Sequence, residues 1–295
     1  MIEIKNLTQD FSNGKGIFDV SFNVNKGEVF GFLGPNGSGK TTTIRHLMGY
    51  MKPQVGQTTI NNLDTWKNQS EVRKSLGYLP GEISFLDGLT GESFLNMMVG
   101  MQGINNKSRR EDLIELFQLD TKLLIRKMSK GTKQKVGIIT TFMHDPDIYI
   151  LDEPTAGLDP LMQKTFIDLV LKEKSRGKTF LISSHSLPEI ERTCDRIAII
   201  KEGKIVTIKD IHELHSLQRK SFNITLSKKE DVIALLESEL TVEKINDFIV
   251  RIDIQNNYDM FFNTLSKYHV KNISADDVSL EHTFMEYYKR EDVSS

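Results

Sequence analysis

A single cysteine, Cys194, stands in the 295-residue chain. No disulfide can form within it, and no Cys-x-x-Cys pair or Cys/His cluster offers a zinc site. Cys194 lies in "IERTCDRIAII", a helix-to-strand passage, and is expected to serve as a small buried hydrophobe. No window approaches the ~18 apolar residues that span a bilayer. The opening "MIEIKNLTQDF" carries acids and amides in place of a secretory leader's apolar run. No long basic run exists and the formal net charge is -2, so nucleic acid is not an expected partner. Internal repeats and low-complexity segments are also missing. These absences lead to the expectation of a cytosolic chain that could dock on a membrane protein. What remains is ordinary for a globular protein, 38% hydrophobic and 26% charged, and long enough for two domains.

The first part alternates short apolar strands with helices, which predicts an α/β layer structure. "VFGFLG" (29–34), "DIYILDEP" (147–154) and "KTFLISSH" (178–185) read as strands, and "CDRIAIIKEGKIVTI" (194–208) as a hairpin turning at Glu202-Gly203. Between them, about 90–145 reads as helical, with a capping box Ser108…Glu111. Met97, Met98 and Met101 read as core. After about residue 218 the pattern changes. "SFNITLS" and "FIVRIDI" alternate as half-buried strands do, and a second capping box, Ser227…Glu230, precedes "DVIALLESEL". "NYDMFFNTLSKY" reads as a helix, "KNISAD" as a strand and "SLEHTFMEYYKR" as a last helix. The order β-α-β-β-α-β predicts a small α+β, ferredoxin-like unit.

"GPNGSGKTT" fits G-x-x-x-x-G-K-[ST] with a strand before and a helix after. Gly34, Pro35, Asn36, Gly37, Ser38 and Gly39 form the loop whose backbone N–H groups can curl around a phosphate chain. Lys40 adds a point charge at the outer phosphates, Thr41 a hydroxyl for magnesium, and Thr42 completes the motif. "IYILDEP" buries a strand that ends in Asp152 and Glu153, at the sheet edge where open α/β sheets bind ligands. Asp152 is expected to hold the magnesium and Glu153 to orient and deprotonate the attacking water.

"KMSKGTKQKV" (127–136) is only half a site. Ser129 is a natural N-cap, and the N–H groups at Gly131 and Thr132 are open to an anion. Lys130 stands between them, and no nucleotide motif surrounds the stretch. In chain order, "GPNGSGKTT", "MSKGTKQ", "YILDEPTAGLDP" and "ISSH" resemble the nucleotide-binding subunit of ABC transporters, over roughly residues 1–218. The tail, roughly 219–295, resembles the small C-terminal domain of some exporter-type ATPases. The resemblance implies a P-loop NTPase core with a helical subdomain at about 90–145, and a tail that serves dimer contact or regulation.

It also answers why the stretch is half a site. In this family two ATPase domains pack head to tail, and each ATP lies between one P-loop and the other domain's signature. Ser129, Lys130, Gly131 and Thr132 occupy that signature position, so Ser129 and Gly131 would face the γ-phosphate of the opposite site. Lys130 replaces a usual glycine and Thr132 a usual glutamine. Gly81, in "LGYLPGE", stands where the family has a glutamine that touches magnesium and water; Glu82 or water is expected to fill that shell. His185 matches the switch histidine, Asp159 the residue that contacts the opposite P-loop, and Phe11 the aromatic that stacks on adenine. Phe85, Leu86 and Leu89 lie where the family places its groove for a membrane-subunit helix, with core packing the alternative.

The implied activity is ATP hydrolysis with Mg2+, coupled to export. The implied partners are an integral membrane permease subunit and a second ATPase subunit, in a homodimer or heterodimer, at the cytoplasmic face of the cell membrane. A soluble ABC-type ATPase acting on ribosomes or DNA is the alternative, and a non-hydrolysing regulatory partner a third reading.

Overall fold

Strands without alternation belong at the centre of a sheet covered on both faces, and the computed structural model, which describes residues 1–104, 107–211, 213, 220–254 and 258–276, follows that rule. β3 (Val29–Leu33), β7 (Ile148–Asp152) and β8 (Thr179–Ser184) are buried along their whole length. β6 (Leu76–Leu79), β9 (Arg196–Lys201) and β10 (Lys204–Asp210) complete a sheet of order β10-β9-β3-β8-β7-β6. All its pairings are parallel except β9 with β10, the hairpin expected at Glu202-Gly203. Tyr149 stacks between Phe142 and Phe180, with centroids 4.4 and 4.7 Å apart. On the opposite face Ile148 and Ile150 join a core shared with a second sheet.

That second sheet is antiparallel, of order β2-β1-β4-β5: β1 (Ile2–Asp10), β2 (Gly16–Val24), β4 (Val55–Ile60) and β5 (Leu63–Asp64). The sequence reading placed no strand before Val29. Ile2, Ile4, Leu7, Val20 and Val24 pack inward from it onto Phe30, Phe32 and α1 (Lys40–Leu47). α2 (Gln69–Lys74) precedes β6.

The expected helical stretch contains α3 (Gly91–Gln102), α4 (Ser108–Leu116) and α5 (Lys130–Phe142). The capping box at Ser108 does not cap: Lys107 holds the N-cap position of α4, and Arg110 takes the Glu111 carboxylate with its Nε at 2.9 Å. Met101 is 75% exposed and departs from the expected core row. α3 buries Leu95 and Val99, and at ~100° per residue Met101 points away from both. Phe85 packs edge-on against Phe94 at 5.0 Å, while Leu86 stays exposed. α6 (Pro160–Ser175) and α7 (Leu187–Thr193) flank the large sheet. Cys194, at the end of α7, is buried, which pushes its thiol up to about 12, as suits an inert small hydrophobe.

One compact unit covers Met1–Ile211, and the described residues after Ile211 belong to another. The latter runs β11 (Lys220–Leu226), α8 (Lys229–Leu236), β12 (Thr241–Lys244), β13 (Ile249–Ile254), α9 (Tyr258–Leu265) and β14 (Val270–Asp276). Its sheet is antiparallel, of order β12-β13-β11-β14. Ile224, Val250 and Ile252 pack with Val232, Leu235 and Phe261 of the helices. Ser227 does not cap α8: its N–H donates to the His269 carbonyl at 2.9 Å, so it extends the strand, and Lys228 is the N-cap. The last expected helix, "SLEHTFMEYYKR", lies outside the described residues.

Two histidines, His46 buried and His144 half-buried, set an acid limit on stability. Burial holds His46 and His144 below the usual value of 6.5. The unfolded chain takes up these protons at higher pH than the folded one, so their contribution is complete above pH ~6.5 and is lost as pH falls toward the depressed folded values. Thermal unfolding is therefore expected at lower temperature at pH 5.5 than at pH 7.5. His144→Gln, whose amide can still donate to the Leu76 carbonyl that His144 Nε2 approaches at 3.3 Å, is expected to narrow that gap. An equal gap in both chains would remove His144 from the account.

Candidate functional site

The P-loop closes β3 onto α1. Gly37 and Gly39 take positive φ, 81° and 110°, and curl the loop, whose residues line a cavity of about 520 Å³. Pro35, Asn36, Thr41 and Thr42 line it with Lys40 and Glu153, and Phe11, 49% exposed, stands at its rim. Gly34 and Ser38 are buried behind the loop. The Lys40 ammonium is almost buried; it donates to the Gly34 carbonyl at 2.6 Å and lies 3.2 Å from Glu153 Oε1.

Thr41 Oγ1 donates to Asp152 Oδ2 at 2.8 Å, and the Ser183 hydroxyl donates to Asp152 Oδ1. A fully buried carboxylate held by two hydroxyls is an all-oxygen donor set. It suits Mg2+, which binds through one or two carboxylates, waters and substrate phosphates. Among the described residues no group of three or more His, Cys, Asp or Glu forms a cage for another metal.

Glu153 follows at φ 49°, a left-handed conformation rare for a side-chain-bearing residue. Its N–H is held by Ser183 Oγ at 3.1 Å and the Ser183 carbonyl at 3.2 Å. This turn aims the carboxylate between Lys40 and His185, whose Nδ1 is 2.7 Å from Glu153 Oε2. The structure thus brings Lys40, Thr41, Asp152, Glu153 and His185 together from three separate strand ends.

Two further residues brace this group: Gln134, which lies within the quoted "MSKGTKQ" though no role is read for it there, and Glu189, which carries no sequence signature. Gln134, buried on α5, donates to the Pro154 carbonyl at 2.8 Å. Glu189 on α7 accepts from Thr155 Oγ1 at 2.7 Å and Ser184 Oγ at 2.9 Å. Ser183 lies within the quoted "ISSH", yet its grip on Asp152 and on Glu153 is visible only in three dimensions.

Ser129 is the N-cap of α5, its Oγ accepting from Thr132 N–H at 3.1 Å. The helix start is open to solvent: Ser129 and Lys130 are exposed, and Gly131 and Thr132 half-buried. None of the four lines the chain's own nucleotide cavity. Asp159 caps α6, accepting from Met162 N–H at 3.0 Å, with Pro160 in the first turn.

Gly81 lies beside the Asp152 carboxylate. A side chain there would begin 3.2 Å from Asp152 Oδ2. In its place is a cavity of about 310 Å³, lined by Arg45, Tyr78, Glu82 and Asp152 among others. Burial and then the nearby Asp152 charge push the Tyr78 hydroxyl above its ordinary value.

The sequence profile described as ABC transporter matches residues 17–156. The bacitracin transport ATP-binding protein BcrA of Bacillus licheniformis is 36% identical over 258 residues, 85% of this chain and 84% of that protein. A solved ATP-binding subunit of an ABC transporter superposes with a TM-score of 0.67 at 31% identity, covering 73% of this chain and 92% of the other. The fold alone is shared with the ATP-binding cassette MJ0796, solved as a dimer with ADP and Pi, at 22% identity and a TM-score of 0.63 over 72% of this chain and 99% of that one. The P-loop, the Asp152–Glu153 strand end and the signature helix therefore belong to a member of the ABC transporter family, and the chain is its ATP-binding, ATP-hydrolysing subunit.

Proposed function

We propose that two copies of this chain close head to tail on two MgATP, and that hydrolysis reopens them to drive export through a separate integral membrane permease. One observation supports this above others: the signature residues Ser129 to Thr132 lie outside the chain's own nucleotide cavity. The Ser129 hydroxyl takes the Thr132 N–H, contrary to the open group expected there, and the remaining N–H groups of the helix start, with the helix dipole, suit an anion from elsewhere. A symmetric pair supplies it twice from one sequence. The match to BcrA, a bacitracin transport protein, over most of both chains supports export and gives the ribosome or DNA reading nothing to stand on. The working place is then the cytoplasmic face of the membrane, and the C-terminal unit serves dimer contact or regulation.

In this reading Phe11 stacks on the base, the P-loop amides and Lys40 hold the phosphates, and Ser129 and Gly131 of the second copy close on the γ-phosphate. Thr41 and Asp152 would hold Mg2+, which when bound would neutralise charge at the phosphate oxygens. Glu153 accepts the proton of the attacking water, and His185 keeps the Glu153 carboxylate and that water in line. Asp159, at the head of α6, meets the opposite P-loop. The work is positioning and charge stabilisation, as phosphoryl transfer requires.

Glu82, which lines the cavity beside Gly81, would take the place of the family's glutamine side chain toward a bound Mg2+. Glu82→Ala is expected to raise the Mg2+ concentration for half-maximal ATPase about 10-fold, the usual scale for outer-shell metal partners. Unchanged Mg2+ dependence would take Glu82 out of this role.

The direct test is to tag the chain, extract it from its own cells in mild detergent and identify what co-purifies. A polytopic membrane protein at matching stoichiometry is expected. Ribosomal or nucleic-acid partners, with nothing from the membrane, would overturn the transporter reading.

A further inference from the structure

The nucleotide cavity carries opposite charges at two places. Lys40 and Glu153 form one pair, at the reacting end. Lys15 and Glu202, which the phosphate chemistry leaves unused, line the same cavity together with Phe11. Phe11 and Lys15 close one loop, the Phe11 N–H donating to the Lys15 carbonyl at 2.8 Å. Glu202 sits in the two-residue turn between β9 and β10, at φ 48° with Gly203 at 79°, the left-handed pair that tight hairpins require.

This turn is fastened on both sides. Gly203 N–H donates to the Ser38 carbonyl of the P-loop at 3.0 Å, and the Gly203 carbonyl accepts from Phe18 N–H at 2.8 Å. A Cβ on Gly203 would stand 2.3 Å from the carbonyl oxygen of Gly16, the residue after Lys15. Glu202 is thus anchored to the cavity wall beside the Phe11–Lys15 loop.

A carboxylate here repels a triphosphate, so its partner in the nucleotide is a hydrogen-bond donor. Stacking on Phe11 accepts every base, whereas a hydrogen-bonding edge discriminates strongly. Adenine presents an N6 amino donor beside the N7 acceptor; guanine presents two acceptors, O6 and N7. A carboxylate complements the amino donor of the first edge and repels the second, and an ammonium lining the same cavity can serve the N7 acceptor. We propose that Glu202, in the cavity that Lys15 also lines, reads the amino edge of the base stacked on Phe11 and selects adenine over guanine nucleotides. This rests on the assignment of the Phe11 end of the cavity to the base.

The test is steady-state hydrolysis of MgATP, MgGTP and MgdATP by the full chain and by Glu202→Gln, whose amide both donates and accepts. Glu202→Asn, suited to the positive φ, separates recognition from any effect on folding. The parent is expected to show a KM for GTP at least about 10-fold above that for ATP. Both variants are expected to bring that ratio close to one, with dATP following ATP throughout. An unchanged GTP/ATP ratio in the variants overturns the proposal. So does a dATP penalty in the parent that Glu202→Gln abolishes, which would assign the carboxylate to the ribose. The underlying base assignment fails separately, if Phe11→Ala leaves every KM where it was.

Discussion

Glu153→Gln is expected to lower steady-state ATP hydrolysis by ~10²–10⁴-fold, the usual cost of losing a general base, while leaving MgATP binding intact. The side chain is held on two sides, 3.2 Å from the Lys40 ammonium and 2.7 Å from His185 Nδ1. Its backbone is pinned at φ 49° by Ser183. Glutamine keeps the length and can still accept from Lys40, so the geometry of the pocket survives. Only the capacity to take a proton from water is lost. The variant should consequently accumulate as an ATP-held dimer, seen as a doubled mass in light scattering with MgATP and as a monomer without it. Hydrolysis at the parent rate would sink the general-base assignment, whatever the oligomeric state.

The parts of this site that were legible in the sequence are those in which a short segment carries its own geometry. The P-loop motif fixes a strand, a curled loop and a helix within a dozen residues, and the structure has all three. The hairpin at Glu202-Gly203 was legible for the same reason, because few residues tolerate two successive positive φ values. Local patterns failed where a distant group competed for the same atoms. Ser108 and Ser227 both satisfy a capping box, yet Arg110 takes Glu111 in the first, and sheet pairing to His269 takes the Ser227 N–H in the second. The antiparallel sheet of β1, β2 and β4 was missed because its meaning lies in the core it covers. The bracing roles of Gln134, which ends the quoted "MSKGTKQ", and of Glu189 were hidden on similar grounds: their partners Pro154 and Thr155 lie 20 and 34 positions away. Such contacts write no spacing into the chain. The half-site at "MSKGT" was legible in another way, since a helix start outside the chain's own nucleotide cavity points beyond the single chain.

Gly131→Ala is expected to break that half-site while leaving the chain's own nucleotide cavity nearly unchanged. A methyl group at Gly131 would stand 2.4 Å from the Gly157 carbonyl oxygen. Both partners are main chain, so no rotamer change relieves the clash, and the start of α5 must move away from the loop leading to Asp159. Overpacking of this kind costs ~1–3 kcal/mol. Here it displaces two groups at once, Ser129 with its open N–H neighbours and the Asp159 cap of α6, which the proposed dimer uses on opposite sides of its seam. A displacement near 1 Å in a positioning element commonly costs ~10²-fold in rate, and a loss of that order in ATPase activity is expected. The discriminating measurement is made in the Glu153→Gln background, where the dimer is held by ATP. With Gly131→Ala added, MgATP affinity of the monomer should stay close to the parent value and the doubled mass should disappear. Lys130→Ala is the control: it leaves the glycine, the serine cap and the helix start in place, and should retain the dimer, with at most a modest fall in affinity from the lost positive charge. A stable ATP-held dimer in the Gly131→Ala chain would mean that the signature does not close the opposite site. The seam would then have to be sought on another face of the subunit.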